Sequence, residues 1–211
     1  MNLNNADSIK AGFISQTLEK KMPLFQEPIT ALGQEVMFGV NNSFADLIII
    51  YNNKLYAIEI KALRDNLKRL DAQLQNYQKV FDYVYLLATD NHLKSLELER
   101  YDRIGFIEVN ENGFNVVKRA LIQKSFSKED ILGTMPYSFL STKYVFKKGT
   151  TAVSARQSLI RKSQKVLKNL LLEYMKNKIV YKYQNFLAEK GDTFQYEDIS
   201  ILSLMNFSVL K

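Results

Sequence analysis

Asp46, Glu59 and Lys61 are the residues whose types and spacing best suit catalysis in this chain. Two carboxylates held close together can bind one or two divalent cations, which polarise a phosphate and lower the pKa of a bound water. A lysine beside them can orient or help deprotonate that water, or stabilise the charge developing on a phosphorane. The trio suits phosphodiester hydrolysis, a reaction that needs neither histidine nor cysteine. The sequence has one histidine, His92, and no cysteine. That composition excludes disulfides, thiolate-bound zinc, a thiol nucleophile and a multi-histidine metal site, and it fits a reducing cytoplasm. Oxygen-only ligation points to Mg²⁺, Mn²⁺ or Ca²⁺.

A hairpin must bring these residues together. Phe44 to Tyr51 and Leu55 to Ile60 are β-rich apolar runs flanking Asn52-Asn53, and asparagine tolerates the left-handed backbone of a tight turn. A turn centred there fixes the register: Tyr51 faces Lys54, Ile49 faces Tyr56 and, further out, Asp46 faces Glu59. Opposed residues lie on one sheet face with Cβ atoms about 5 Å apart. Strand alternation puts Lys61 on the face of Glu59 and sends Ile58 and Ile60 to the other. Like charges in an apolar setting repel and lose solvation unless a cation lies between them. The competing structural reading is a solvated Glu59–Lys61 pair on an edge strand, with Asp46 capping a strand end.

The surrounding periodicity predicts an α/β fold with a mixed sheet. A helix is expected over residues 5–22, stopped by Pro23, and a first strand over 34–38. A longer helix is expected from Leu63 through Leu67, Leu70, Leu74 and Tyr77 to Phe81, whose four- and three-residue steps form one stripe. A strand over Tyr83 to Ala88 and a short helix over Asn91 to Arg100 follow. A hairpin over Ile104 to Val109 and Phe114 to Lys118 is expected to turn around Asn112-Gly113. Residues 1–148 read as the core. Residues 149–211 read as a basic, mainly helical extension whose apolar face includes Leu159, Val166, Leu170 and Met175. No run is long enough to span a membrane, and the N-terminus lacks a signal-peptide stretch.

Charge is uneven. Residues 141–190 hold 12 Lys/Arg against 2 Asp/Glu, while residues 1–140 hold 16 against 17. A basic segment of this kind suits a polyanionic partner, and Arg156, Arg161, Lys162 and Lys165 are the candidate nucleic-acid contacts. Tyr174, Tyr181 and Tyr183 lie among these and the following lysines, where aromatics can stack on unpaired bases. The plainer reading is a wet helix face with its aromatics in the core.

Ala45-Asp46-Leu47, then Tyr56-Ala57-Ile58-Glu59-Ile60-Lys61, then Arg64-Asp65, Leu67, Arg69-Leu70, Gln73, Tyr77 and Val80-Phe81-Asp82 resemble the PD-(D/E)XK nuclease superfamily. The resemblance covers roughly residues 5–120, and a closer likeness is to a group of small, poorly characterised bacterial proteins within that superfamily. The resemblance implies a restriction-endonuclease-like core: helix, three-strand meander, helix, strand. It makes Asp46 and Glu59 ligands of Mg²⁺ (or Mn²⁺), Lys61 the water-orienting lysine and Gln73 the helical glutamine beside the site. A further acid is expected from the first helix or first strand, either Glu19 or Glu35. Phe44 stands where arginine is expected, and Ala62-Leu63 where polar residues are usual. The implied activity is metal-dependent cleavage of nucleic acid, with DNA the expected substrate and a homodimer or partner protein compatible with it. The alternative is a catalytically silent nuclease fold that binds nucleic acid or protein within a larger mobile-element or defence system.

Overall fold

The computed structural model describes residues 1–190 and 196–203. Its centre is a hairpin of β2 (Ser43–Tyr51) and β3 (Lys54–Lys61). Asn52 and Asn53 both adopt positive φ, 48° and 55°, the geometry that two-residue hairpin turns require. The antiparallel ladder runs from Tyr51↔Lys54 to Leu47↔Ile58, the register the asparagine pair predicts. One step further the ladder ends, and the Ile60 amide donates to Asp46 Oδ2 at 2.8 Å instead.

β1 (Ala31–Phe38) pairs antiparallel with β2. β4 (Tyr83–Thr89) lies parallel to β3, and β5 (Ile104–Asn110) parallel to β4. β6 (Gly113–Lys118) returns antiparallel on β5. The result is a six-stranded mixed sheet in sequential order. β3 is therefore an interior strand. The last hairpin pairs Asn110 with Gly113, so Glu111-Asn112 is its turn, one residue earlier than the sequence suggests.

α1 (Ala6–Leu18) begins at Asn5, whose side chain accepts from the Asp7 and Ser8 amides. It ends five residues before Pro23, so proline is not what stops it. α2 (Leu70–Gln78) buries Leu70, Leu74 and Tyr77. The stripe expected from Leu63 thus becomes helical seven residues late, and Leu63 itself is exposed. Local side-chain bonds divert the chain: Asp65 Oδ2 accepts from the Ala62 amide at 2.9 Å, and Asn66 Oδ1 from the Lys68 amide at 3.2 Å. Such bonds offer the backbone an alternative to a helical turn.

The helix expected over 91–100 is split into α3 (Asp90–Lys94) and a single 3₁₀ turn, Leu98–Arg100. Two short helices, α4 (Lys128–Thr134) and α5 (Tyr137–Lys143), precede α6 (Ala152–Leu159) and the 26-residue α7 (Gln164–Glu189). Leu167, Leu171, Met175 and Ile179 of α7 join the apolar core that includes the sheet. Gly33 lets α7 approach β1: a Cβ there would lie 3.1 Å from Ile179 Cγ2. A 3₁₀ segment, Tyr196–Leu202, follows, and a parallel bridge between Gln34 and Ser203 covers part of the open edge of β1. Among the described residues, no helix is long and apolar enough to cross a membrane.

Candidate functional site

The end of β3 opens into a cavity of about 390 Å³. β2 contributes Asp46, β3 contributes Glu59 and Lys61, and α2 contributes Gln73. Lys61 Nζ sits 2.7 Å from Glu59 Oε1 and donates to Gln73 Oε1 at 3.0 Å. Glu59 is only 1% exposed. A solvated edge-strand ion pair is therefore not what the chain builds. Although the ammonium lies close to Glu59 Oε1, the angles are not those of a hydrogen bond, and this buried oxygen has no hydrogen-bond donor among the described residues.

Tyr77 is the hinge pin of the carboxylate pair. Its hydroxyl donates to Glu59 Oε2 at 2.6 Å and accepts from the Asp46 amide at 3.2 Å. The Phe44 carbonyl, also at 3.2 Å, is a second acceptor for the same proton. Complete burial, then the charges of Asp46 and Glu59, push the phenol well above its usual titration range, so Tyr77 stays a neutral donor. Asp46 is pushed up to about 7, first by burial and then by the neighbouring charge of Glu59; the Ile60 amide opposes the shift. A cation between the two carboxylates would reverse both causes.

The rest of the lining is also charged. Lys10 of α1 is buried, donating to Asp7 Oδ1 at 3.1 Å and Gln34 Oε1 at 2.9 Å. Glu35, Asp65 and Arg69 complete the ionisable groups. Five carboxylates therefore face three cations in this cavity, an imbalance that disfavours a phosphate unless a metal accompanies it. Mg²⁺ commonly uses only one or two protein carboxylates, with water and substrate phosphate filling its octahedron. Asp46 and Glu59, both lining the cavity, fit such a partial shell. Among the described residues, no three acidic or histidine side chains form a complete cage.

Residues 2–204 match the family described as bacteriophage P4 protein cII. The chain belongs to that family. No curated protein matches this cII-family chain. Among solved structures, a protein of unknown function from Silicibacter pomeroyi is similar at 16% identity, covering 53% of this chain and 74% of that one, with a TM-score of 0.35. A superposition that weak transfers neither fold nor chemistry.

In this member of the P4 cII family the two candidates for a further acid separate cleanly. Glu19 is not in the cavity. It lies at the C-terminal end of α1, exposed, paired with Lys21 at 2.5 Å and hydrogen-bonded to Ser15 at 2.9 Å, and those bonds hold its carboxyl below the usual range. The helix presents its first turns to the cavity instead, and 13 residues of helix place its far end about 20 Å away. Glu35 does line the cavity. Its backbone is left-handed, with φ 53°, and its Oε2 accepts from the Ser203 hydroxyl at 2.7 Å.

Of the predicted nucleic-acid contacts, none lines this cavity. Arg156 donates to the Met135 carbonyl at 3.0 Å, and its Nε is buried without a hydrogen-bond partner among the described residues. Arg161, Lys162 and Lys165 are exposed, with Lys162 5.4 Å above the Tyr144 ring. Tyr183 is buried and Tyr174 packs on Phe139 at 5.1 Å; of the three tyrosines only Tyr181 is exposed. Sequence reasoning missed Asp7 and Lys10, and it placed Arg69 and Tyr77 in the motif that resembles the nuclease family without giving either a role in the site. Lys10 carried a signal. It shares a helix face with Ile14 and Thr17, where an unpaired charge has no reason to be.

Proposed function

We propose that this cII-family chain is a metal-dependent nuclease that hydrolyses phosphodiester bonds, with DNA the expected substrate. The single observation that carries the reading is the buried Asp46–Glu59–Lys61 cluster lining an acidic cavity. Asp46 and Glu59 would hold Mg²⁺ or Mn²⁺, which when bound supplies Lewis-acid polarisation of the phosphate and a more acidic water.

The protein's own groups do the rest. Tyr77 fixes the Glu59 carboxylate and the backbone of Asp46, so the pair keeps its geometry without reorganising during reaction. Lys61, held between Glu59 and Gln73, presents one ammonium to the cavity, where it can orient a water or stabilise charge on a non-bridging oxygen. Gln73 limits the rotamers of that lysine. Glu35, at the cavity wall, is the further acid within reach of the cluster, and its bond to Ser203 ties its position to the segment 196–202.

A second reading rests on one observation. The Lys61 ammonium already pairs with Glu59 at 2.7 Å, an arrangement a non-catalytic, nucleic-acid-binding component could retain in place of a metal. Titrating Mn²⁺ into the wild-type protein and into Glu59→Gln by calorimetry separates the two. Saturable binding that weakens at least tenfold in the variant supports the nuclease reading. No binding by the wild type, in the presence or absence of DNA, supports the silent component.

A further inference from the structure

The segment Leu63–Arg69, which replaces the expected first turns of the long helix, carries Arg64, Lys68 and Arg69. All three are exposed. Among the described residues, none of the three side chains makes an ion pair or a hydrogen bond. The one acid on the loop is Asp65, and one of its oxygens is occupied by the Ala62 amide. Arg69 also lines the acidic cavity, together with Asn66. We infer that this β3–α2 loop, and not the basic C-terminal helices, is the element that grips the phosphodiester backbone of nucleic acid, leading it to Lys61. The inference rests on the reading of the cavity as a phosphodiester site and names where its substrate binds.

Three properties point the same way. The loop begins two residues after Lys61 in the chain, and its Arg69 lines the same cavity as Lys61 and the carboxylate pair. The loop is also pinned before any ligand arrives. The Leu63 amide donates to the Leu3 carbonyl at 2.9 Å, the Asp65 amide to the Ala62 carbonyl at 3.0 Å, and the Gln73 amide to the Arg69 carbonyl at 3.0 Å. His92 Nε2 lies 2.9 Å from the Ala62 carbonyl and ties the loop's base to α3. Backbone order of this kind lowers the entropy lost on binding. Finally, the cavity interior carries excess negative charge, so the polyanion must be drawn in by cations on its rim, and Arg69 is the exposed cation there.

The C-terminal helices differ in where their cations lie and in how many are already engaged. Lys168 is committed to Asp82 and the Val80 carbonyl, Lys176 to Asn53, and Lys182 to the Ser203 carbonyl. Arg161 and Lys165 are exposed, but they belong to no wall of the cavity. They are the right control.

The test is fluorescence anisotropy with a labelled oligonucleotide of about 20 nucleotides, as single-stranded DNA, duplex DNA and RNA, in EDTA and in Ca²⁺, each across a salt series. Two triple variants are compared with wild type: Arg64→Gln/Lys68→Gln/Arg69→Gln and Arg161→Gln/Lys162→Gln/Lys165→Gln. Every changed side chain is on the surface, and circular dichroism checks the fold. The loop variant is expected to bind at least tenfold more weakly, with a salt slope shallower by about 2–3, roughly one per cation removed. The helix variant is expected to stay within about twofold of wild type. The opposite pattern, or no binding by wild type to any of the three probes, overturns the inference. Cleavage assays on the same samples keep the two readings apart. If the loop variant binds like wild type while cutting still requires Lys61, the loop assignment falls and the nuclease stands. If wild type binds through the loop but never cuts with metal, the nuclease reading falls and the loop stands.

Discussion

Residues 141–190 carry twelve cationic side chains, whereas three line the cavity at the end of β3, yet the smaller set is the one that meets carboxylates in a single space. In the helical region several lysines are used as structural pins. Lys168 lies 3.1 Å from Asp82 and donates to the Val80 carbonyl at 2.7 Å, with its ammonium 4.2 Å from the centre of the Phe126 ring. In the cavity, fewer charges converge on one space from α1, β1, β2, β3 and the β3–α2 loop. The difference teaches that a charge count along the chain reports solubility and long-range attraction, while burial and convergence report a site.

The sharpest way to break this contrast is to remove a pin. Lys168→Ala leaves Asp82, 7% exposed, without its cation, although the Leu55 amide still donates to its Oδ2. Stability is expected to fall by about 3 kcal/mol, read as a lower urea midpoint, with nucleic-acid affinity unchanged once folded. A loss of affinity with stability intact would put Lys168 in the binding surface and erase the distinction.

The cavity makes the reverse prediction, a cost in stability that its charges impose on the fold. Asp46 is raised from 3.8 to about 7, so between those values the folded chain binds more protons than the unfolded one, and stability falls as pH rises. Relative to Asp46→Asn, the wild type is expected to lose on the order of 2 kcal/mol between pH 4.5 and pH 8 without divalent metal. Saturating Mg²⁺ is expected to narrow that gap. A difference that is flat with pH would show that Asp46 is not held in a desolvated, acid-rich setting.

A smaller effect tests how the pair is held. Tyr77→Phe removes the hydroxyl that joins Glu59, Asp46 and Phe44. It is expected to cost about 1–2 kcal/mol of stability and to lower the cleavage rate at saturating metal more than it weakens metal binding. Equal losses in both would make Tyr77 a simple prop for the metal ligands.

Much of the centre was legible in the sequence because strand pairing has a strict period of two. Once Asn52-Asn53 is accepted as the turn, the ladder from Tyr51↔Lys54 to Leu47↔Ile58 follows, and Asp46, Glu59 and Lys61 share a face. The start of α2 was not legible, since the stripe from Leu63 is equally compatible with a helix and with a loop held by Asp65 and Asn66. The choice between Glu19 and Glu35 depends on which end of α1 meets the sheet, a tertiary fact with no local signature. α4 and α5, of seven residues each, are too short for periodicity to reveal. In the basic helices the sequence shows a lysine's charge but not the carbonyl or carboxylate that occupies some of them, such as Lys168 and Lys182.

The central claim is that the buried trio cuts phosphodiesters with a bound metal. It is tested most directly by incubating wild type and Lys61→Ala with supercoiled and linear DNA in Mg²⁺ or Mn²⁺, beside an EDTA control. The account predicts metal-dependent cleavage that drops at least about 100-fold in Lys61→Ala, while the variant keeps its fold and its affinity for DNA. Cleavage that persists in the variant, or no cleavage of DNA or RNA by wild type under any metal, would contradict it.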